Sequence, residues 1–166
     1  MNLDIATLSK SHDRKSFHCA ADEVDLFLKH KAFQDQTLDL SRTYILTDSE
    51  SDPSKIIGYF TITPIHISQN VVLNDKPKIK RELPALLLGQ LGVAVEYQKK
   101  GFGELLLLNA ESKALMASDI VGLRTVVLDA RNEQLVKWYS SYGFSRVGSA
   151  LRMAKNIEVI RKERKN

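Results

Sequence analysis

The segment "EYQKKGFG", Glu96 to Gly103, sets two lysines and two closely spaced glycines between two long apolar runs. Glycines at a strand-to-helix turn let the backbone bend tightly and aim its N–H groups outward. The unpaired amides of the first helical turn add partial positive charge. The chemistry open to such a loop is to hold an anion, a phosphate above all, with Lys99 and Lys100 supplementing the field. It is not a Walker loop, because the GxxxxGK[ST] pattern is absent, nor a dinucleotide fingerprint, which needs a third glycine. A tight strand–helix turn with no ligand would explain the same glycines, so the pattern by itself leaves both readings open.

The other reactive side chains are dispersed. Cys19, the only cysteine, excludes an internal disulfide, fits a reducing compartment, and reads as a small buried hydrophobe. His12, His18, His30 and His66 are scattered without motif or metal-ligand spacing, so each reads as structural and no metal is expected. Glu96 is a candidate base beside the glycine loop. Tyr139 reads from its own surroundings as a packing tyrosine on an amphipathic helix, next to Trp138 and near Tyr142. A basic cluster (Lys76, Lys78, Lys80, Arg81) and a basic tail, "RKERKN", contribute to a net charge of +4. Each alone is a solvated segment; together with Lys99 and Lys100 they permit an anionic partner such as a phosphorylated cofactor or a nucleic acid.

The elements that must position these groups follow from pattern. At 166 residues, 43% hydrophobic and 27% charged, the chain is expected to form one domain, 1–166. The N-terminus lacks a signal-peptide pattern, and the longest apolar stretch, Leu83 to Val95, falls short of the roughly 18 residues of a membrane span. No membrane association and a cytoplasmic location are expected. Leu3, Ile5 and Leu8 suggest a first strand, and Val24, Phe27, Leu28 and Phe33 one helix over 21–36. "RTYILTD" and "KIIGYFTITPIHI" read as an antiparallel hairpin, and residues 68–84 as a basic connection. "ALLLGQLGVAV" has the uniform apolarity of a central strand, in which Gly89 and Gly92 call for a bulge or a close backbone approach. "FGELLLLNAESKALMAS" is a helix with Gly103, Leu107, Ala110 and Ala114 on one stripe. "LRTVVLDA" is a strand, and "NEQLVKWYSSYG" a helix that Asn132 caps and Gly143 ends. "FSRVGSALRMA" is a last strand containing a turn. The order β, α, β, β, β, α, β, α, β predicts an α/β fold around a mixed sheet.

With these elements in place, "QKKGFG" resembles the Q/R-x-x-G-x-G/A pyrophosphate motif of the GNAT acyltransferases, which use acetyl-CoA. "GYFTIT" is similar to that family's third strand, and "LDARNEQLVKWYSSYGF" to its C-terminal N…Y…GF motif. Within the family the chain resembles the acetyltransferase toxins of bacterial toxin–antitoxin pairs. Their F-x-C…L-x-x-F/Y-L…Q pattern is matched by Phe17, Cys19, Val24 in place of Leu, Phe27, Leu28 and Gln34. "PALLLGQLGVAV" departs from their "PALLLGRLAV" at Gln90, where many relatives carry arginine.

The resemblance implies a GNAT fold, a mixed and mostly antiparallel central sheet flanked by helices. It implies acetyl-CoA as cosubstrate, with the pantetheine arm paired to backbone groups along Val93, Ala94 and Val95. The pyrophosphate would lie on the N–H groups of Gln98, Lys99, Lys100, Gly101, Phe102 and Gly103. A backbone N–H near Val93 would meet the oxyanion, Tyr139 would donate a proton to the departing thiolate, and Asn132 would cap its helix and touch the cofactor. The implied reaction is acetylation of the α-amine of aminoacyl-tRNA, which blocks translation. An α-amine, with a pKa of about 7.7–8.0, is already partly neutral, unlike lysine at about 10.4, so it would hardly need a dedicated base. The alternatives are acetylation of a protein N-terminus or small amine, or a CoA- or RNA-binding module without catalysis. The implied partner is a ribbon-helix-helix antitoxin, and a homodimer is left open.

Overall fold

A computed structural model describes residues 1–68, 79–148 and 150–166. Lys76 and Lys78 of the basic cluster lie outside the described residues. The elements run β1 (Leu3–Thr7), α1 (Asp22–His30), α2 (Ala32–Thr37), β2 (Arg42–Asp48), β3 (Gly58–Ile67) and β4 (Leu83–Val93). A 3-10 turn (Val95–Tyr97) follows, then α3 (Phe102–Ile120), β5 (Thr125–Asp129), α4 (Glu133–Ser140), β6 (Ser145–Arg146), β7 (Arg152–Asn156) and α5 (Ile157–Lys165). The sheet order is β1-β2-β3-β4-β5-β7-β6. The β1/β2, β2/β3, β5/β7 and β6/β7 pairs are antiparallel, and β4/β5 is parallel. A parallel pair needs a crossover long enough to return the chain, and α3 supplies it. The sheet is mixed, as the element order predicts, and mostly antiparallel, as the family resemblance implies.

The chain divides into two compact units, 1–63 with 89–110, and 64–88 with 111–166. The first holds a core of Leu8, Phe17, Cys19, Val24, Leu28, Ile45 and Tyr59, with Phe27, Phe33 and Tyr97 packed against it. Acidic Asp22, Glu23 and Asp25 in the first turn of α1 favour its start through the helix dipole. The single helix expected over 21–36 is two. Backbone φ reaches −123° at Lys31, and beyond that break Gln36 ties distant strands together. Its Nε2 donates to the Leu8 carbonyl at 2.8 Å, and its Oε1 accepts the Thr43 N–H at 3.1 Å. Apolar spacing cannot see such a long-range polar stitch.

The β4 glycines differ in purpose. A Cβ on Gly92 would stand 2.7 Å from Val24 Cγ1, so α1 packs directly onto the strand backbone there. At Gly89 the nearest atom is 3.9 Å away, so the expected close approach is absent at that position. Gly58 is tighter than either: a Cβ would meet both the Gly92 carbonyl and Leu106 Cδ1 at 2.8 Å. Gly58→Ala should therefore cost about 1–3 kcal/mol, read as a lower urea midpoint, because a strand carbonyl cannot step aside.

The second unit buries Ile67, Leu83, Ala85, Val127, Val147 and Ala154. The basic tail, residues 161–166, is exposed as expected, but it belongs to helix α5, which buried Ile157 and Ile160 anchor ahead of it. With only two apolar anchors among nine mostly charged residues, its sequence carries little periodic signal.

Candidate functional site

In the first unit the site is built at the end of β4. The Ala94 N–H donates to the Ile57 carbonyl at 2.8 Å, and the Val95 N–H to the His18 carbonyl at 2.9 Å. The 3-10 turn follows, closed by the Gln98 N–H on the Val95 carbonyl at 3.3 Å. The Gln98 side chain folds back as a strut, its Nε2 donating to the carbonyls of Val93 at 3.0 Å and Cys19 at 2.9 Å. The loop is thereby pinned to the strand it leaves and to the segment ahead of α1.

Beyond Gln98 the backbone enters the left-handed region twice, at Lys99 (φ 61°) and Gly101 (φ 89°). At Lys99 that conformation costs roughly 1–2 kcal/mol. Strain of this kind gathers where backbone amides are aimed at something. Gly101 has no atom within 4 Å of its Cβ position, so glycine is needed there for its conformation and not for space. Helix α3 begins at Phe102, and the Leu105 N–H donates to the Gly101 carbonyl at 3.2 Å. The N–H groups of Phe102, Gly103 and Glu104 precede that bond and form the dipole-positive end of a 19-residue helix. Lys99 and Lys100 are exposed beside them, and Lys100 Nζ lies 5.8 Å from the centre of the Tyr97 ring.

Two of the backbone groups expected to meet the cosubstrate are engaged within the chain. Val95 lies in the 3-10 turn and its N–H donates to the His18 carbonyl. The Gln98 N–H is likewise turned inward, which narrows the anion-facing amides to the segment from Lys99 onward. Chain reversal after β4 draws the Gln98 amide into the turn's own closing bond, while the segment ahead of α1 takes the Val95 amide.

Glu96, the candidate base, pairs with Lys55 at 3.1 Å. Both line a cavity of about 420 Å³ together with Asp13, Ser16, Phe17, His18, Ile56, Ala94 and Val95. His18 was one of four scattered histidines in the sequence. In the fold its Nδ1 sits 2.9 Å from Oδ2 of Asp25, whose other oxygen accepts the Cys19 N–H at 2.9 Å. Burial alone would raise the Asp25 carboxyl, but the hydrogen bonds from Cys19 and His18 outweigh it and hold it below the usual carboxylate range. The two partners are seven positions apart, and such a pair without motif gives sequence reasoning little to find.

The second unit carries Tyr139. Asn132 Oδ1 accepts the Leu135 N–H at 2.9 Å, capping α4 as expected, and Gly143 (φ 91°) follows the helix end. Tyr139 is 8% exposed, with ring centres of Trp138 at 4.9 Å and Phe144 at 5.9 Å. Burial pushes its phenol up to about 12, while the Arg131 charge pulls weakly the other way. An ordinary phenol titrates near 10; the ring packing that raises this one is a tertiary property.

The chain is 24% identical to the tRNA-acetylating toxin of Mycobacterium tuberculosis over 142 residues, 82% of this chain and 81% of that protein. No family model matches it. Among solved structures it superposes on AtaT complexed with acetyl-methionyl-tRNAfMet with a TM-score of 0.88, at 24% identity over 98% of this chain and 99% of the other. A tyrosine-to-phenylalanine mutant of AtaT, bound to the C-terminus of the antitoxin AtaR and acetyl-CoA, gives 0.84 at 22% identity over 100% of both chains. The chain has the GNAT fold of these toxins. Within that fold the glycine turn occupies the junction of β4 and α3. Among the described residues no three His, Cys, Asp or Glu side chains gather as metal ligands, and no helix is long and apolar enough to cross a membrane.

Proposed function

We propose that the chain is an acetyl-CoA-dependent N-acetyltransferase that acts on the α-amine of aminoacyl-tRNA, and so a translation-blocking toxin. The observation that carries this reading is agreement between two independent lines. One is a left-handed glycine turn opening onto the free amides of α3; the other is likeness over most of the chain to toxins named for this reaction. Bound acetyl-CoA would supply a thioester acetyl group. Lys99, Lys100, Gly101, Phe102 and Gly103 would hold its pyrophosphate, with Gln98 supporting the loop through its side chain. Val93 and Ala94 would present the strand end, Tyr139 would be the proton donor, and Asn132 would keep α4 in register. A small antitoxin partner, as AtaT has in AtaR, and a cytoplasmic location complete the proposal.

The test is direct. Purified protein, labelled acetyl-CoA and total charged tRNA should yield N-acetylated aminoacyl ends, and absence of product with every charged tRNA would remove the reading. Binding of charged tRNA should weaken steeply with salt, whereas a small-amine acceptor would show little salt dependence. Gly101→Ala should raise the KM for acetyl-CoA about 5–10-fold while leaving kcat nearly unchanged, because the added methyl meets no neighbour and only disfavours the left-handed turn.

A further inference from the structure

The cavity at the end of β4 contains a potential proton acceptor that the proposed reaction has not used. His18 Nδ1 faces a carboxylate that can only accept, so in the neutral ring Nδ1 carries the hydrogen and Nε2 the lone pair. Asp25 is itself fixed: its side chain is 8% exposed and also holds the Cys19 amide. The imidazole is therefore oriented from behind, while its side chain remains 65% exposed and lines the cavity. Among the described residues Nε2 has no partner. The His18 carbonyl accepts the Val95 N–H at 2.9 Å, which keeps this residue against the strand end that would present the thioester. Glu96 cannot fill the same role as well, because Lys55 already neutralises it.

We infer that this cavity receives the amine end of the acceptor and that His18, oriented by Asp25, is the base that takes the amine proton. The inference rests on the acetyltransferase reading and names its acceptor subsite. With Glu96 paired to Lys55, Asp13 leaves one unpaired carboxylate in the lining to attract the amine end, which reacts in its neutral form. Phe17, Ile56, Ala94 and Val95 offer apolar surface for the carbon next to it. In the step, the amine nitrogen uses its lone pair to form the new C–N bond to the acetyl carbon. The C–S bond breaks with its electron pair leaving on sulfur. The surplus N–H proton passes to His18 Nε2, and the thiolate is protonated by the acid. Asp25 is a positioning residue; His18 is the catalytic one.

Three measurements test this. His18→Gln can keep a hydrogen bond to Asp25 but cannot take a proton, so it should fold with an unchanged melting temperature and lose about 100-fold in kcat. His18→Ala should lose as much and regain about tenfold when free imidazole is added, since a small base can occupy the vacated space. Without acetyl-CoA, titrating glycinamide or leucinamide into the chain should saturably shift the His18 imidazole NMR signals, assigned by their absence in His18→Gln. Turnover of His18→Gln within about threefold of wild type would overturn the inference. So would a loss in His18→Ala that imidazole does not restore, or imidazole signals that ignore the amides. If wild type acetylates charged tRNA while the His18 variants match it, only this inference fails; if wild type acetylates no charged tRNA, the functional reading fails first.

Discussion

Tyr139→Phe is expected to lower kcat about 10²–10⁴-fold, the usual range for loss of a positioned proton donor, with the KM for acetyl-CoA changed by less than about threefold. The phenol of about 12 sharpens this expectation. Donation to a thiolate of ordinary pKa, about 8.5, is uphill by about 5 kcal/mol from this phenol, against about 2 kcal/mol from a solvated one. Such a donor works only if transfer is concerted with C–S cleavage, when the developing charge on sulfur already shares the proton. It also stays protonated across the whole neutral range. A phenol whose folded pKa lies above the unfolded value favours the neutral form; it stabilises the fold below about 10 and loses that contribution as pH rises toward about 12. The wild-type pH–rate profile should therefore show no falling limb from Tyr139 below about 11. Rates of Tyr139→Phe within threefold of wild type would leave the proton donor unassigned and point to solvent as the source. Because the substitution removes only one oxygen from a packed ring, circular dichroism and melting should stay as in wild type, which separates lost chemistry from lost fold.

Lys155→Met is expected to cost about 3 kcal/mol of folding free energy, measured by urea denaturation, the lower end of the penalty for breaking a buried ion pair, because Arg164 at 3.4 Å remains as a partner for Glu111. The Lys155 and Glu111 side chains are 2% and 1% exposed. Nζ donates to Glu111 Oε1 at 2.8 Å, Glu163 Oε2 at 2.7 Å and the Tyr142 carbonyl at 2.7 Å, so all three ammonium protons are bonded. Burial pushes the Glu111 carboxyl up, and Lys155 pulls it back only partly. With Lys155 removed, the carboxyl binds its proton still more tightly when folded, so the penalty should shrink as pH is lowered and Glu111 becomes neutral. Glu111→Leu combined with Lys155→Met should recover most of the loss, since no buried charge is then left alone. A pH-independent loss, or a double variant no better than the single one, would mean that the site is governed by packing. The network also holds the turn after α4: a Cβ on Gly143 would stand 3.2 Å from Lys155 Cε, and Phe144 beyond it packs against Tyr139.

Several features were fixed in one dimension because their causes are local. The uniform apolarity of β4, the small-residue stripe of α3, the Asn132 cap and the glycine turn after β4 all depend on residues within a few positions of one another. The order of these elements and their motifs sufficed to anticipate the mixed sheet. What the chain alone could not declare depends on distant residues meeting in a low-dielectric interior. Glu111 reads as an ordinary polar position on α3 until Lys155, 44 residues away, is brought against it. Tyr139 becomes a weak acid only when neighbouring rings exclude water. The inward turn of the Val95 and Gln98 amides and the place of His18 in a cavity were decided by chain reversal at the end of β4 and by the segment ahead of α1. Backbone preference and periodicity act over one helical turn or one strand, whereas desolvation and ion pairing act through space, and only the folded chain sets which charges share that space.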